Sequence, residues 1–161
     1  MGESTRTRTE DLIAVLGSVP ERVADLVLGL DDPRLDYRHA PAFQTVRELV
    51  GHVCEAGVAA DGLLRQVIVD GRDEASVRKT FDPVDDPDLS PPVSEQLEDF
   101  GRVRRRSLDL LRGLPAQAWH KEVMDPAQGL ISVQDACEQI MRHELGHLAQ
   151  VRNLLTLLPD P

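Results

Sequence analysis

Apolar residues recur along this chain in steps of three and four, the period of helices that bury one face. In the first such stretch, about Thr7 to Leu30, they fall at Leu12, Ile13, Val15, Leu16, Val23, Leu26, Val27 and Leu30. Pro20 interrupts it. Ser18-Val19-Pro20-Glu21 reads as a capping box that restarts the helix, so a kink or break is expected near Ser18. After the Asp31-Asp32-Pro33 stop and a loop, Thr45 is placed to cap a second helix from about Val46 to Val69, with Gly71 as its C-terminal stop. Its seam is Val46, Leu49, Val53, Ala56, Ala60, Leu63 and Val67. A third helix, about Ser94 to Leu111, carries Leu97, Phe100, Val103, Leu108 and Leu111 on one side. Arg102, Arg104, Arg105 and Arg106 crowd its other sides and read as a solvated face. Ser132 caps a fourth helix that runs to about Leu158 and stops at Pro159.

Long connections separate these helices. Residues 71–92 hold Asp82, Asp85, Asp86 and Asp88 among the stiffening Pro83, Pro87, Pro91 and Pro92. Such a segment is an ordered crossover or a mobile cover, expected to run along the bundle surface with its acidic positions in water. Gly113 to Leu130, with Trp119-His120 and Pro126-Ala127-Gln128-Gly129, is the other long connection before the last helix. No run alternates convincingly as a strand, and no segment repeats. The pattern predicts an all-α four-helix bundle with long connections, one domain over residues 1–161.

Composition narrows the function. A chain of 161 residues, 41% hydrophobic, buries a core without staples. Aromatics are 3%, which leaves the core to Leu, Val, Ile and Ala. A formal charge of −10 repels a phosphate backbone, so nucleic acid is not an expected partner. Cys54 and Cys137 are too few for a disulfide framework and read as small buried hydrophobes. The polar opening has no apolar run behind it, and no stretch nears the ~20 apolar residues that span a bilayer. A soluble cytoplasmic protein without a membrane partner is expected.

The chemistry concentrates in His143-Glu144-Leu145-Gly146-His147. As a string it is H-E-x-x-H, in which zinc proteases use both His as ligands and the Glu as general base. The bundle gives a second reading. Helix four has the seam Ala136, Ile140, His143, His147, Val151, Leu154 and Leu158, so both His take inward positions one turn apart. Their Cβ atoms then lie within roughly 6 Å. His52 falls in the seam of helix two, between Leu49 and Ala56. Three inward imidazoles are costly to bury unless paired or metallated. One divalent ion takes all three and keeps positions open; zinc, nickel and iron(II) suit such donors. His39 and His120 sit in connections and follow no seam.

Several features weigh against a peptidase. The 14 residues after His147 hold no further His or Glu, and Gln150 and Asn153 stand where the longer metzincin pattern needs Gly and His. Glu144 remains a weak catalytic candidate near the edge of the inward face, while Glu48 and Glu55 read as solvated. The competing class is a non-enzymatic protein whose bundle the metal braces.

Thr45-Val46-Arg47-Glu48-Leu49-Val50-Gly51-His52 and the closing His143-Glu144-Leu145-Gly146-His147-Leu148-Ala149-Gln150 resemble the DinB-like superfamily, over nearly the whole chain. Phe43 stands where that family often has Trp. The resemblance implies an up-up-down-down-type bundle with a metal held by His52, His143 and His147. It also implies a homodimer, for which the apolar faces of helices one and two are the expected surface. Members include enzymes that use low-molecular-weight thiols such as mycothiol or bacillithiol. By resemblance, then, the expected activity is a metal-dependent thiol transferase or isomerase acting on a small-molecule substrate.

Overall fold

The computed structural model describes residues 2–82 and 87–161, with side chains from residue 8 onward. Its long helices are α1 (Gly2–Val27), α3 (Val46–Ile68), α4 (Val93–Arg112) and α5 (Val133–Thr156); α2 (Asp32–Leu35) is a single turn. Two expected caps are present. Thr45 and Glu48 form a reciprocal capping box at the start of α3, and Ser132 and Asp135 form another on α5.

Of the kink or break expected near Ser18, the break does not occur. α1 runs unbroken through Pro20, and the Ser18 hydroxyl donates back to the Val15 carbonyl at 2.7 Å instead of capping a new helix. Pro20 has no N–H to offer the Leu16 carbonyl one turn earlier. That carbonyl accepts from Arg104 Nη1 at 2.9 Å. The missing backbone bond is replaced from another helix.

Each of α1 and α3 packs against both α4 and α5. α1 and α3 therefore occupy opposite corners of the bundle. Helix direction follows from two apolar clusters. One joins Leu12 and Leu16 of α1 to Leu63 and Val67 of α3, Leu108 and Leu111 of α4, and Val133 and Ala136 of α5. The other joins Val23 and Val27 to Val46 and Leu49, Val93 and Leu97, and Leu148 and Val151. α1 and α5 thus run one way and α3 and α4 the other. The order is up-down-down-up, not the up-up-down-down expected from resemblance.

Between the clusters lies a polar layer. Arg104, 2% exposed, pairs with Asp61 of α3 and with both carboxylate oxygens of Glu144 of α5. Arg104 is thereby separated from its neighbours in the sequence, since Arg102, Arg105 and Arg106 are exposed as expected. Its true seam is Val93, Leu97, Phe100, Arg104, Leu108 and Leu111. Phe100 lies beneath the guanidinium, 4.9 Å from ring centroid to Cζ. On its other side Phe100 fills the space over Gly57, where an added Cβ would run into the ring.

Because α3 and α4 are parallel neighbours, the chain between them must climb back the length of a helix, on the order of 35 Å. It does not stay on the surface. Ala75 and Val77 enter the core, and Phe81, in the 3-10 turn Arg78–Phe81, packs against it. Asp82 and Asp88 are exposed as expected, whereas Pro83, Asp85 and Asp86 lie outside the described residues. A hairpin that the sequence did not reveal holds this climb: β1 (Glu122–Asp125) pairs antiparallel with β2 (Gly129–Ser132). Gly129, at φ +84°, closes the turn in a region that favours glycine. Ala75 N–H donates to the Met124 carbonyl, and Val77 N–H to Asp125 Oδ2 at 3.0 Å. Asp125 also accepts from Ala127 and Gln128. One fully buried carboxylate thus ties the turn to the crossover.

Two stability predictions follow from this packing. Gly57→Ala should lower the unfolding free energy by about 1–3 kcal/mol, because Phe100 has nowhere to shift. Gly62→Ala, on the same helix but in open space, should raise it by about 0.5–1 kcal/mol. Equal values in denaturant titrations would contradict the close approach. Arg104→Met strands two buried carboxylates and should cost about 3–5 kcal/mol. A loss no larger than that of a typical surface substitution would mean the layer is dispensable.

Candidate metal centre

α3 presents His52 and α5 presents His143 and His147 to the groove between the two helices. His147 Nε2 stands 2.9 Å from His143 Nε2 and 3.1 Å from His52 Nε2. The three rings meet edge to face, at interplanar angles of 77° to 83°. All three are half-buried at the rim of the bundle, which corrects the inward placement expected for them. The core face of α5 is Val133, Ala136, Ile140, Glu144, Leu148 and Val151. Glu144 points inside, and the histidines flank it.

The donor chemistry fits a divalent ion. His147 Nδ1 lies 2.7 Å from Gln150 Oε1, an oxygen that only accepts, so Nδ1 donates there and the neutral form of the ring has its lone pair on Nε2. That lone pair faces two neighbouring nitrogens and can accept from only one of them. A cation satisfies all three. The three donor nitrogens all lie within 4.8 Å of one another, close enough for one ion to be held by all three rings. Burial pushes His143 down to about 4, and the nearby His147 and His52 add to the shift. His52 is also lowered, first by burial and then by His147. Both rings are therefore neutral at pH 7, the form that ligates.

Other sequence candidates fall elsewhere. Glu144 is 2% exposed, with both oxygens on Arg104. Glu48 belongs to the Thr45 cap and pairs with Arg38; the cap and this ion pair hold it below the usual carboxylate range despite its desolvation. Glu55 is half-buried and takes no part in the cluster. His39 stacks edge-on against Phe43, and His120 is exposed on the connection before β1. Cys54 and Cys137 are buried, and burial pushes both thiols up to about 12.

Three contributors escaped the sequence reading. Arg104 and Asp61 carry one signal, since Arg104 fills the step between Phe100 and Leu108 that was given to Val103. Phe81, stacked on His143 at 4.2 Å and 10°, was visible only as an aromatic residue in an otherwise polar connection.

A model of the DinB superfamily matches residues 16–151. The chain belongs to the DinB superfamily. A Bacillus pumilus protein named for a proposed metal-dependent hydrolase activity is 26% identical to it over 152 residues, which is 94% of this chain and 87% of the relative. Among solved structures, YfiT from Bacillus subtilis superposes with a TM-score of 0.75 at 21% identity, covering 91% of this DinB chain and 85% of its own. YfiT is described as a probable metal-dependent hydrolase with an unusual four-helix bundle topology. That likeness establishes the shared fold.

The lowered basicity of His143 gives a pH prediction for the metal-free DinB protein. The unfolded chain binds this proton near ~6.5, and the folded chain only near about 4. A depressed folded value means that the stability contributed by the neutral ring is present in full above the unfolded pKa and is lost as pH falls through the folded one. Denaturation at pH 7 and pH 4.5 should show a larger loss in the parent than in His143→Gln. Identical losses would contradict it.

Proposed function

We propose that this DinB protein is a cytoplasmic metal-dependent enzyme. In this reading His52, His143 and His147 hold one divalent ion, and the reaction acts on a small molecule. The supporting observation is the convergence of three Nε2 atoms, with Gln150 orienting one ring and two rings kept neutral. Zinc, nickel and iron(II) all suit these donors. When bound, such an ion supplies Lewis acidity and lowers the pKa of the water or thiol brought to it. The description of both relatives as metal-dependent hydrolases favours water as the nucleophile. The chain's own part is to fix the donors, keep them unprotonated and leave one side of the rings accessible. Half-exposed ligands at the rim favour a reactive site over a metal that only braces the bundle.

A second reading keeps the same site and replaces water by a small thiol such as mycothiol or bacillithiol. Among the described residues no carboxylate joins the cluster. A thiol brought to the ion would give its proton to solvent before attacking an electrophile. The thiol must come from outside, because Cys54 and Cys137 are buried and inert. The homodimer implied by resemblance belongs to this proposal too, with the outer apolar faces of α1 and α3 as its surface.

Elemental analysis of the purified protein should find one divalent ion per chain. His147→Ala should abolish stoichiometric binding, while His39→Ala and His120→Ala retain it. The loaded protein is then assayed on ester and amide substrates and, separately, for thiol transfer to a soluble electrophile. Chelator-sensitive turnover in one arm, lost in His147→Ala, is expected and tells water from thiol. Full metal content in His147→Ala would overturn the site, and metal without either activity would favour the brace.

A further inference from the structure

The three imidazoles are not held alike. His147 is oriented through Nδ1 by Gln150. Among the described residues His143 has one polar contact, His147 Nε2, and nothing bonded at Nδ1. Its flat face instead lies on Phe81, with ring centroids 4.2 Å apart and planes inclined by 10°. A ring with a free Nδ1 turns about its Cβ–Cγ bond unless packing stops it, and this torsion is broad. An aromatic face pressed parallel to it removes that freedom.

We propose that Phe81 is a positioning residue for the metal centre, setting the plane of His143 so that Nε2 meets the other two nitrogens. The inference rests on the metal site proposed above. Phe81 ends the 3-10 turn Arg78–Phe81, and the residue before that turn is tied to the hairpin. Val77 is fully buried and its N–H is held by Asp125, while the Thr80 hydroxyl donates to the Val77 carbonyl at 2.6 Å. The ring is therefore delivered by a fixed segment of the crossover, from outside the two helices that carry the histidines. Gln150 and Phe81 do the same work on adjacent ligands by different means, one through a hydrogen bond and the other through a stacked face. Groups that orient metal-bound histidines are commonly worth ~10–100-fold in metal affinity, and Phe81 belongs in that range.

The test measures metal binding and ring geometry rather than turnover. Cobalt(II) and zinc(II) titrations are run on the parent, Phe81→Ala, Phe81→Leu and Phe81→Tyr, each with its thermal midpoint. Phe81→Ala should bind about 10–100-fold more weakly, with an altered visible cobalt spectrum, and Phe81→Tyr should restore both. Phe81→Leu keeps apolar bulk without a flat face, so it remains informative if the alanine variant unfolds; its affinity should also fall. In metal-free protein, the His143 ring protons should move downfield on loss of Phe81 as the aromatic shielding disappears. Unchanged affinity and spectrum in a folded Phe81→Ala or Phe81→Leu would overturn this inference alone. A parent that binds neither metal would overturn the metal site and this role with it.

Discussion

The ionic tie of Arg104 to Asp61 and Glu144 sets the geometry on which the three-histidine cluster depends. A buried ion pair seldom adds net stability over a well-packed apolar core, since desolvating the charges offsets their attraction. What it fixes is register. The guanidinium of α4 takes Glu144 from α5, Asp61 from α3 and the Leu16 carbonyl from α1, so all four helices meet at one group. Burial pushes Asp61 up to about 6 against the pull of Arg104, while the two carboxylates hold Arg104 ionised beyond its ordinary value. With Glu144 committed inward, α5 cannot turn about its axis. His143 and His147, on either side of it in sequence, must then face the groove shared with His52.

Pro20 belongs to the same arrangement. In most helices it marks an end, and here it marks a supply of acceptor: the carbonyl it leaves free is the third partner of the buried guanidinium, after Asp61 and Glu144. The topology makes a similar use of necessity. Parallel α3 and α4 oblige the chain to traverse the bundle, and the traverse passes the α3–α5 groove. A connection of that length would be free to wander. Asp125, with three backbone N–H donors outweighing the penalty of desolvation, stays ionised below the usual carboxylate range and holds it down.

Much of this was legible in the sequence. The helices, the caps at Thr45 and Ser132 and the association of His52 with His143 and His147 follow from three-and-four spacing and from residue chemistry. What was not legible shares one cause. Spacing tells which residues lie on one stripe but not which stripe faces inward when two adjacent stripes are both plausible. On α4 the choice of Val103 over Arg104 misplaced the polar layer, and on α5 the choice of His143 over Glu144 turned the site inward. In both cases the buried member is charged, which a pattern of apolar positions passes over. The hairpin escaped because its strands are four residues each, too short for alternation to register. Helix direction escaped because short-range periodicity carries no information about which ends meet.

The misplaced stripe also decides what the H-E-x-x-H string means in this fold. For a glutamate between two zinc-binding histidines to act as general base, its carboxylate must reach the same water as the metal. On a helix the three residues fan over about 100°, so which of them faces solvent is a matter of rotation, not of sequence. In this bundle the rotation puts the carboxylate on the buried side, with both oxygens on a guanidinium, and the imidazoles on the accessible side. Withdrawing Glu144 to the rim would leave Arg104 half-paired in the core, a change that loses more free energy than an exposed carboxylate returns. The same five letters therefore put a structural clamp and two imidazoles of the proposed metal site on different sides of one helix, with the carboxylate of the string held away from the accessible side.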